Sequence, residues 1–219
     1  MYPDSSGQES TTPNGFQDFI STGFRLNEAS GGGDINGSTS RTYCAWCWKA
    51  GGAPGGTNTA TSGPMNNNSV SIDNVIQSNY TPSGTIYPKK VSISTKLQFS
   101  ITKYFGNTTI GATIGHGLNG IPDLVIIKAL GQSGTWQVHN STIGAGRILG
   151  LNGSLARSAT PNAAYFNQVL PNATVVTLGY DGNGNEQNDD TDYIMYCWRS
   201  VDGFSKIGSY TGNLSTNGP

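Results

Sequence analysis

Short apolar segments separated by glycine- and asparagine-rich turns make up most of this 219-residue chain. Side chains along a β-strand point to alternate faces, so short alternating or continuous apolar runs predict strands. No window carries a sustained helical period, and only residues 70–77 offer a weak helical turn. The predicted strands cover residues 19–24, 42–49, 91–104, 124–128, 135–139, 174–180 and 192–199. The pattern therefore predicts an all-β fold.

An internal repeat underlies this pattern. Residues 43–49 (YCAWCWK) align with residues 193–199 (YIMYCWR), and each follows an apolar run that ends in glycine and an aromatic residue. Residues 99–107 align with residues 204–213, since both begin Phe-Ser and end Gly-Asn. The predicted divisions are the C-terminal part of a preceding β repeat at 1–50, a Gly/Asn-rich connector with some β at 51–98, a complete β repeat at 99–203, and the start of a further repeat at 204–219. Both ends are expected to be cut within partial repeats, of a longer array or of a chain that completes its sheets with a neighbouring subunit.

Composition and charge narrow the function classes. Charged residues make up 11% of the chain and the formal net charge is −1, whereas roughly 25% charged residues is usual for soluble domains. The basic residues are scattered, so we expect no nucleic-acid binding, which needs a basic stripe. No apolar run approaches the ~20 residues of a membrane helix, so we expect no membrane insertion. Three cysteines cannot form a closed disulfide framework, which fits assembly under reducing conditions.

A compact motif precedes one of the predicted strands. Gly115 and Gly117 bracket His116, which permits a tight backbone turn. Pro122 then fixes φ just before the apolar run 124–127. The missing N–H of proline is tolerated at the start of a strand. We expect this run to be buried on both faces and Lys128, which follows it, to lie in solvent.

The motif at 114–128, the Cys-Trp strand before residue 199 and the segment Gly203–Asn213 together resemble the repeat domains of bacteriophage tail-fibre-like proteins, particularly of marine and cyanobacterial phages. The resemblance covers residues 99–213 well and the flanking residues more loosely. Here Asn119-Gly120 stands where that family has one glycine or glycine plus a small residue, which alters the turn before the proline.

This resemblance implies an antiparallel β-sandwich of lectin-like or jelly-roll type, assembled in the host cytoplasm and displayed on the exterior of the virion. It implies a structural role, recognition of a host-surface glycan or protein, contacts with other virion proteins and no enzymatic activity. We expect self-association, with a homotrimer as the assembly. Three alternatives stay open: a purely structural virion component such as a head-decoration or appendage-scaffold protein, a capsule-degrading glycosidase on a fibre, and a bacterial surface adhesin.

The Cys-x-x-Cys formed by Cys44 and Cys47 invites a zinc or redox interpretation. In a strand these two side chains would point to opposite faces, so they could not share a metal. We interpret Cys47-Trp48 and Cys197-Trp198 instead as one core position that recurs in each repeat.

The two histidines, His116 and His139, are the only candidates for the base that a serine or cysteine nucleophile needs. No Gly-x-Ser-x-Gly elbow accompanies them, and a base also needs an orienting partner that the sequence does not reveal. The sequence therefore favours structural roles for both histidines.

Acidic and amide residues cluster between residues 181 and 192. The positions of Asp181, Asn183, Asn185 and Asp192 follow the spacing of calcium ligands, although Glu186 occupies the position where the calcium loop requires glycine. We favour a solvated hairpin loop. Ca²⁺ remains the one cofactor that the sequence leaves open, and we otherwise expect none.

A short loop carries the predicted ligand-binding residues. Tyr165 and Phe166 are flanked by Asn162 and Asn167, outside the predicted strands. Exposed aromatic rings can stack on sugar faces while amides bond to hydroxyl groups. The sequence therefore predicts a glycan site at this loop.

Overall fold

The computed structural model describes residues 4–9, 15–27, 35, 42–153, 161–181, 184 and 191–218. The chain divides into a small unit of residues 9–48 and a large unit of residues 1–8 and 49–219. In the described residues, every regular element is a β-strand except for one short helical turn at Phe166–Gln168. The prediction of an all-β fold is confirmed.

Where the structure describes it, the small unit contains one hairpin. Strand β1 (Phe16–Ile20) pairs antiparallel with β2 (Gly23–Leu26). The single strand predicted at residues 19–24 is therefore wrong, because the chain turns at Ser21 and Thr22. Residues 42–48 form no strand in this structure and are exposed, although a strand was predicted there.

The described residues of the large unit contain ten strands. Their bounds are β3 Val70–Ile72, β4 Val75–Ile76, β5 Lys90–Ser94, β6 Phe99–Phe105, β7 Thr113–Gly115, β8 Leu124–Ala129, β9 Gln137–Asn140, β10 Leu149–Gly150, β11 Val175–Thr177 and β12 Asp192–Trp198. Eight of them form one sheet in the order β10-β9-β8-β12-β6-β5-β3-β4, and β11 pairs with β7 in a second sheet. All pairs are antiparallel except β3 with β5, so the large sheet is mixed.

The segment 51–98, predicted as a connector with some β, supplies β3, β4 and β5 to the large sheet. Residues 70–77, where a helical turn was predicted, form the β3–β4 hairpin instead. The predicted strand at 91–104 is two strands, because residues 95–98 turn and Gln98 takes a left-handed φ of 49°. The backbone N–H of Thr95 donates to Asp73 at 3.0 Å and ties this turn to the β3–β4 hairpin.

One face of the large sheet forms the main core. Alternate residues of β12, Tyr193, Met195 and Cys197, are at most 1% exposed. The smaller sheet packs against this face through Ile114 of β7 and Val176 of β11. Burying one such aliphatic side chain contributes about 1.5–3 kcal/mol, so this two-layer packing is what fixes the register of the central strands.

The opposite face of the sheet is covered at one end by residues near the N-terminus. Lys128 was predicted to lie in solvent, and this is wrong: the side chain is fully buried and its Nζ donates to the carbonyl oxygens of Ser6 and Gln132, each at 3.3 Å. This burial lowers the pKa of the Lys128 ammonium. Farther along the same strand, Leu124 and Ile126 are only half-buried on this face, so β8 is not buried on both faces throughout.

Candidate functional site

A shallow pocket lies on the outer face of the large sheet, opposite the main core. Its volume is about 140 Å³ and its lining residues are Thr57, Lys89, Lys103, Phe105 and Asp192. Lys103 and Phe105 are alternate residues of β6 and so share a face, and Asp192 stands opposite Phe105 in the register of β12. Lys89 comes directly before β5, and its backbone N–H donates to the carbonyl of Lys103 at 2.7 Å.

Positive charge dominates this pocket. The ammonium of Lys89 lies 4.5 Å from the ring centroid of Phe105, a cation–π contact. Lys103 forms an ion pair with Asp192, and Lys90 stands opposite Lys103 in the β5–β6 register. Lys89 and Lys103 thus bring two ammonium groups into the pocket and Asp192 one carboxylate, and the net positive charge suits an anionic ligand.

The size of the pocket limits what it can bind. Whole small-molecule sites span roughly 300–1,000 Å³, and this pocket holds about 140 Å³. It therefore fits one anionic group, or one edge of a sugar that stacks on the exposed part of the Phe105 ring. Sequence reasoning missed this site because its residues come from segments far apart in the chain; the adjacent pair Lys89-Lys90 was the one local signal.

The geometry around His116 fits a structural role. The backbone N–H of Leu118 donates to Nδ1 at 3.1 Å, and Nε2 lies 3.1 Å from the carbonyl oxygen of Asn172. An N–H can only donate and a carbonyl can only accept, so the ring is the neutral tautomer with its proton on Nε2. Burial lowers the pKa of His116. Both ring nitrogens are occupied by the backbone, so neither can take a proton from a nucleophile.

His139 is buried on the core face of β9 beside the ring of Phe166, with centroids 5.3 Å apart. The backbone of Arg147 lies near enough to interact with the ring, but neither ring nitrogen makes a well-formed hydrogen bond within the described residues. Burial lowers the pKa of His139 and keeps the ring neutral. His139 shares the core face with Val125, whereas Asp192 points to the outer face of the large sheet, so these two side chains do not meet.

A protein-family model matches residues 76–219. The chain belongs to this family, DUF7483, which is described as a domain of unknown function. The DUF7483 match begins in β4 and includes every later strand of the large sheet, and with them Lys89, Lys103, Phe105 and Asp192. No curated protein and no solved structure matches the chain.

Two further features of the described residues of this DUF7483 protein bear on its chemistry. Within the described part of the chain, no group of three histidine, cysteine or acidic residues is arranged to hold a metal ion. The same residues contain no helix with the length and apolar character needed to span a membrane.

The predicted ligand loop is placed differently from the expectation. Phe166 is 2% exposed and belongs to the main core, and Tyr165 packs against that core, so the predicted exposed aromatic pair is wrong for Phe166. Asn162 uses its side-chain oxygen to accept from the backbone N–H of Ala164 at 2.9 Å. Asn167 lies in a left-handed turn with φ 48°. The glycan site predicted at this loop loses its aromatic platform.

The structure brings two of the predicted calcium ligands into other interactions. Asp181 accepts from Gln137 Nε2 at 2.7 Å, and Asp192 pairs with Lys103. Asn183 and Asn185 lie outside the described residues. Calcium binding therefore stays a prediction of the sequence.

The two Cys-Trp pairs, which were predicted to be one recurring core position, lie in different environments. Cys197 is fully buried, and burial raises the pKa of its thiol. Trp198, on the outer face, stacks on Phe99 with ring centroids 4.7 Å apart. Cys47 and Trp48 are exposed, so the predicted core role is wrong for this copy in the structure.

The glycine motif behaves as predicted in part. Gly117 takes a left-handed φ of 68°, as a tight turn requires, whereas Gly115 is needed for close approach: an added Cβ would lie 2.8 Å from the backbone oxygen of Ser83. Pro122 is buried two residues before β8 begins. These residues shape the fold and do not line the pocket.

A further feature is the number of exposed large apolar side chains. Some are scattered over the large unit, such as Ile110 and Leu170. Others are grouped on the hairpin of the small unit, in residues 43–48 and after residue 203: Phe16, Phe19, Phe24, Tyr43, Trp46, Trp48, Phe204, Tyr210 and Leu214. On the hairpin, the rings of Phe16 and Phe19 lie 4.7 Å apart. Exposed apolar side chains that cluster within one segment, as on this hairpin, are candidates for interaction sites.

Proposed function

We propose that this protein is a structural subunit of a bacteriophage tail fibre or related virion appendage, displayed on the particle exterior. Its large unit is a rigid β module, and its exposed aromatic segments join it to further copies and to other virion proteins. The homotrimer expected for a fibre remains part of this proposal. The resemblance of residues 99–213 to tail-fibre-like repeat domains gives the proposal its biological setting.

The exposed apolar surface is the observation that carries the proposal. Trp46 is 77% exposed and Tyr210 is 82% exposed, although aromatic rings of this size each gain about 2 kcal/mol or more from burial. Only 11% of the chain is charged, so charge repulsion opposes association weakly. Such a surface is stable in water mainly when it is covered by a partner.

Two measurements test this role. Sedimentation velocity of the whole chain across a hundredfold range of concentration should show reversible growth beyond the monomer, and a trimer if the fibre geometry is correct. Antibodies raised against the chain should label the tail region of phage particles in electron micrographs. A monomer at every concentration, or label confined to the capsid shell, would contradict the fibre role; capsid label would favour a head-decoration protein.

The pocket favours a second, compatible function, which is recognition of an anionic group on the host surface. Lys89 and Lys103 supply the charge, and Phe105 supplies a ring for stacking against a sugar. A uronic acid or a sulfated sugar carries both features in one ligand. The small volume argues that this contact is one of several along a fibre, since many weak sites give strong attachment when linked.

Binding to immobilised polyuronate and to a neutral glucan of equal length tests this recognition. The chain should prefer the polyuronate, and Lys89→Gln should weaken that binding roughly fivefold, the effect of one exposed cation–π and charge contact. Lys96→Gln is the matched control, because Lys96 is an exposed lysine in the turn before β6 and outside the pocket. Equal losses in both variants, or equal binding of both polymers, would exclude a specific anionic site.

A further inference from the structure

Two segments resemble in sequence a strand pair inside the large unit. Residues 42–48 are the sequence counterpart of β12, and residues 204–213 are the counterpart of β6. In the large unit, β6 and β12 are antiparallel neighbours. Both counterparts are largely exposed and neither forms a regular strand here, although Ser205 makes an isolated β-bridge with Val201 that strand pairing would have to replace.

The observed register shows how the counterparts would align. Trp198 stands opposite Phe99, with the rings stacked at 4.7 Å, and Cys197 stands opposite Ser100. The repeat puts Trp48 and Cys47 in the places of Trp198 and Cys197. It puts Phe204 and Ser205 in the places of Phe99 and Ser100. The transferred register therefore sets Trp48 opposite Phe204 and Cys47 opposite Ser205.

The chemistry along the rest of this pair is complementary. One step farther, Tyr196 stands opposite Ile101, which sets Trp46 opposite Lys206 and gives a cation–π contact. Because residues 204–213 are one residue longer than residues 99–107, Gly208 fits as a bulge. Tyr210 and Tyr43 would then replace the stacked pair Tyr104 and Tyr193.

We propose that residues 42–48 of one copy pair antiparallel with residues 204–213 of a second copy, in the register of β12 and β6. This inference deepens the proposed self-assembly and rests on it. In the complete unit the β6 strand precedes the β12 strand, whereas in this chain the β12 counterpart comes first. A second copy supplies the two strands in the order that the complete unit uses.

The buried area indicates what this joint does. The exposed parts of Tyr43, Trp46, Trp48, Phe204 and Tyr210 amount to an apolar area on the order of 600 Å², given 150–250 Å² for each aromatic side chain. A stable interface buries about 1,200–2,000 Å². One joint is therefore weak, and it becomes stable when each copy uses both segments in a repeating assembly.

Disulfide trapping tests the register in the whole chain. In the double variant Cys44→Ser/Ser205→Cys, the native Cys47 and the thiol introduced at position 205 would lie directly opposite, within the 4.4–6.8 Å between Cα atoms that a disulfide needs. Cys197 is buried and does not compete. The matched control is Cys44→Ser/Lys206→Cys, since the side chain at position 206 would point to the other face. Thermal melts of both variants check that the fold is kept.

Mild oxidation is carried out on an equal mixture of ¹⁴N- and ¹⁵N-labelled chains, and the linked peptides are identified by mass spectrometry. We expect Cys47 to bond to the thiol at position 205 on the order of tenfold faster than to the thiol at position 206 of the control. About half of the linked peptides should carry mixed label, as random pairing of two equal pools requires. Equal rates in the two variants overturn the register. A bond with no mixed label overturns pairing between copies.

Sedimentation of the reduced samples separates this joint from the proposed function. If oligomers form but oxidation gives no bond between Cys47 and position 205, the joint is overturned and self-assembly stays in place. A monomer at every concentration overturns both.

Discussion

The rings of Tyr104 and Tyr193 stack across β6 and β12 with centroids 5.4 Å apart and planes 19° from parallel. Both side chains are completely buried. The hydroxyl of Tyr104 donates to the carbonyl oxygen of Gly184 at 2.7 Å. Burial raises the pKa of Tyr104 well above 10, so its hydroxyl stays a donor at any ordinary pH. Tyr104 therefore ties Gly184 to the centre of the sheet.

Tyr104→Phe should destabilise the protein by about 1–2 kcal/mol, because it leaves a buried carbonyl without its donor while the ring stack is kept. Tyr87→Phe is the matched control: the Tyr87 hydroxyl donates to Gly63 at 3.3 Å in an exposed setting, so its loss should cost under about 0.5 kcal/mol. Urea unfolding measures both. Equal costs would show that the Gly184 bond contributes no more than a surface contact.

Glycine is required more strictly at Gly117 than at Gly203, although both have left-handed φ values, 68° and 74°. A Cβ at 117 would lie 2.3 Å from Cδ1 of the buried Ile93, whereas a Cβ at 203 meets nothing within 4 Å. Gly203→Ala should therefore cost about 1 kcal/mol from backbone strain alone. Gly117→Ala adds overpacking and should cost about 2–4 kcal/mol. Chemical denaturation measures the loss of stability in both variants. Similar losses would mean that Ile93 moves aside without cost.

The turn at Phe166–Gln168 holds three consecutive residues with φ between 48° and 55°. Left-handed φ costs roughly 1–2 kcal/mol for an ordinary side chain, and the exposed Gln168 gains little from burial in return. Gln168→Gly should therefore raise stability by about 0.5–1 kcal/mol after the greater entropy of glycine in the unfolded chain is subtracted. Val169→Gly is the control, because φ is −112° there and the change should destabilise. A loss of stability in Gln168→Gly would refute the strain.

Two central strands of the large sheet, β8 and β12, were predictable from the sequence. The strands predicted at 124–128 and 192–199 correspond to β8 and β12 within one residue at each end, because their apolar runs end in polar or turn residues. The predicted strand at 91–104 failed at a turn without glycine or proline. That turn is held by the hydrogen bond from Thr95 to Asp73. The pattern of apolar and polar residues around the turn does not predict a hydrogen bond to a residue this distant in the sequence.

The candidate site was less predictable for the same reason. Lys128 follows an apolar run in sequence, where a charged residue ordinarily marks the return to solvent, yet Ser6 accepts from its ammonium across 122 positions of the chain. Lys89, Lys103 and Asp192 come together only through the order of β5, β6 and β12. The positions of the basic residues along the chain do not predict such a cluster, because the order of the strands in the sheet decides which side chains become neighbours.

Both histidines make stability depend on pH in one direction. Burial lowers the pKa of His116 and of His139 from 6.5, so below pH 6.5 the unfolded chain binds protons that the folded chain refuses. The stability that the neutral rings contribute is fully present above pH 6.5 and is lost as pH falls through the folded pKa values. We expect the urea midpoint to fall steadily from pH 7 to pH 5, where ordinary carboxylates still contribute little.

Single and double His→Gln variants at positions 116 and 139 check the cause of this pH dependence. Each single substitution should reduce the fall of the urea midpoint between pH 7 and pH 5, and the double substitution should reduce it further. This expectation holds whether or not the substitution also changes stability at pH 7. His116→Gln should also lower stability at pH 7 by about 1–3 kcal/mol, because the buried Leu118 N–H and the Asn172 carbonyl lose well-placed partners. If the double variant keeps the full slope of the unsubstituted protein, groups other than the two buried rings set the acid sensitivity.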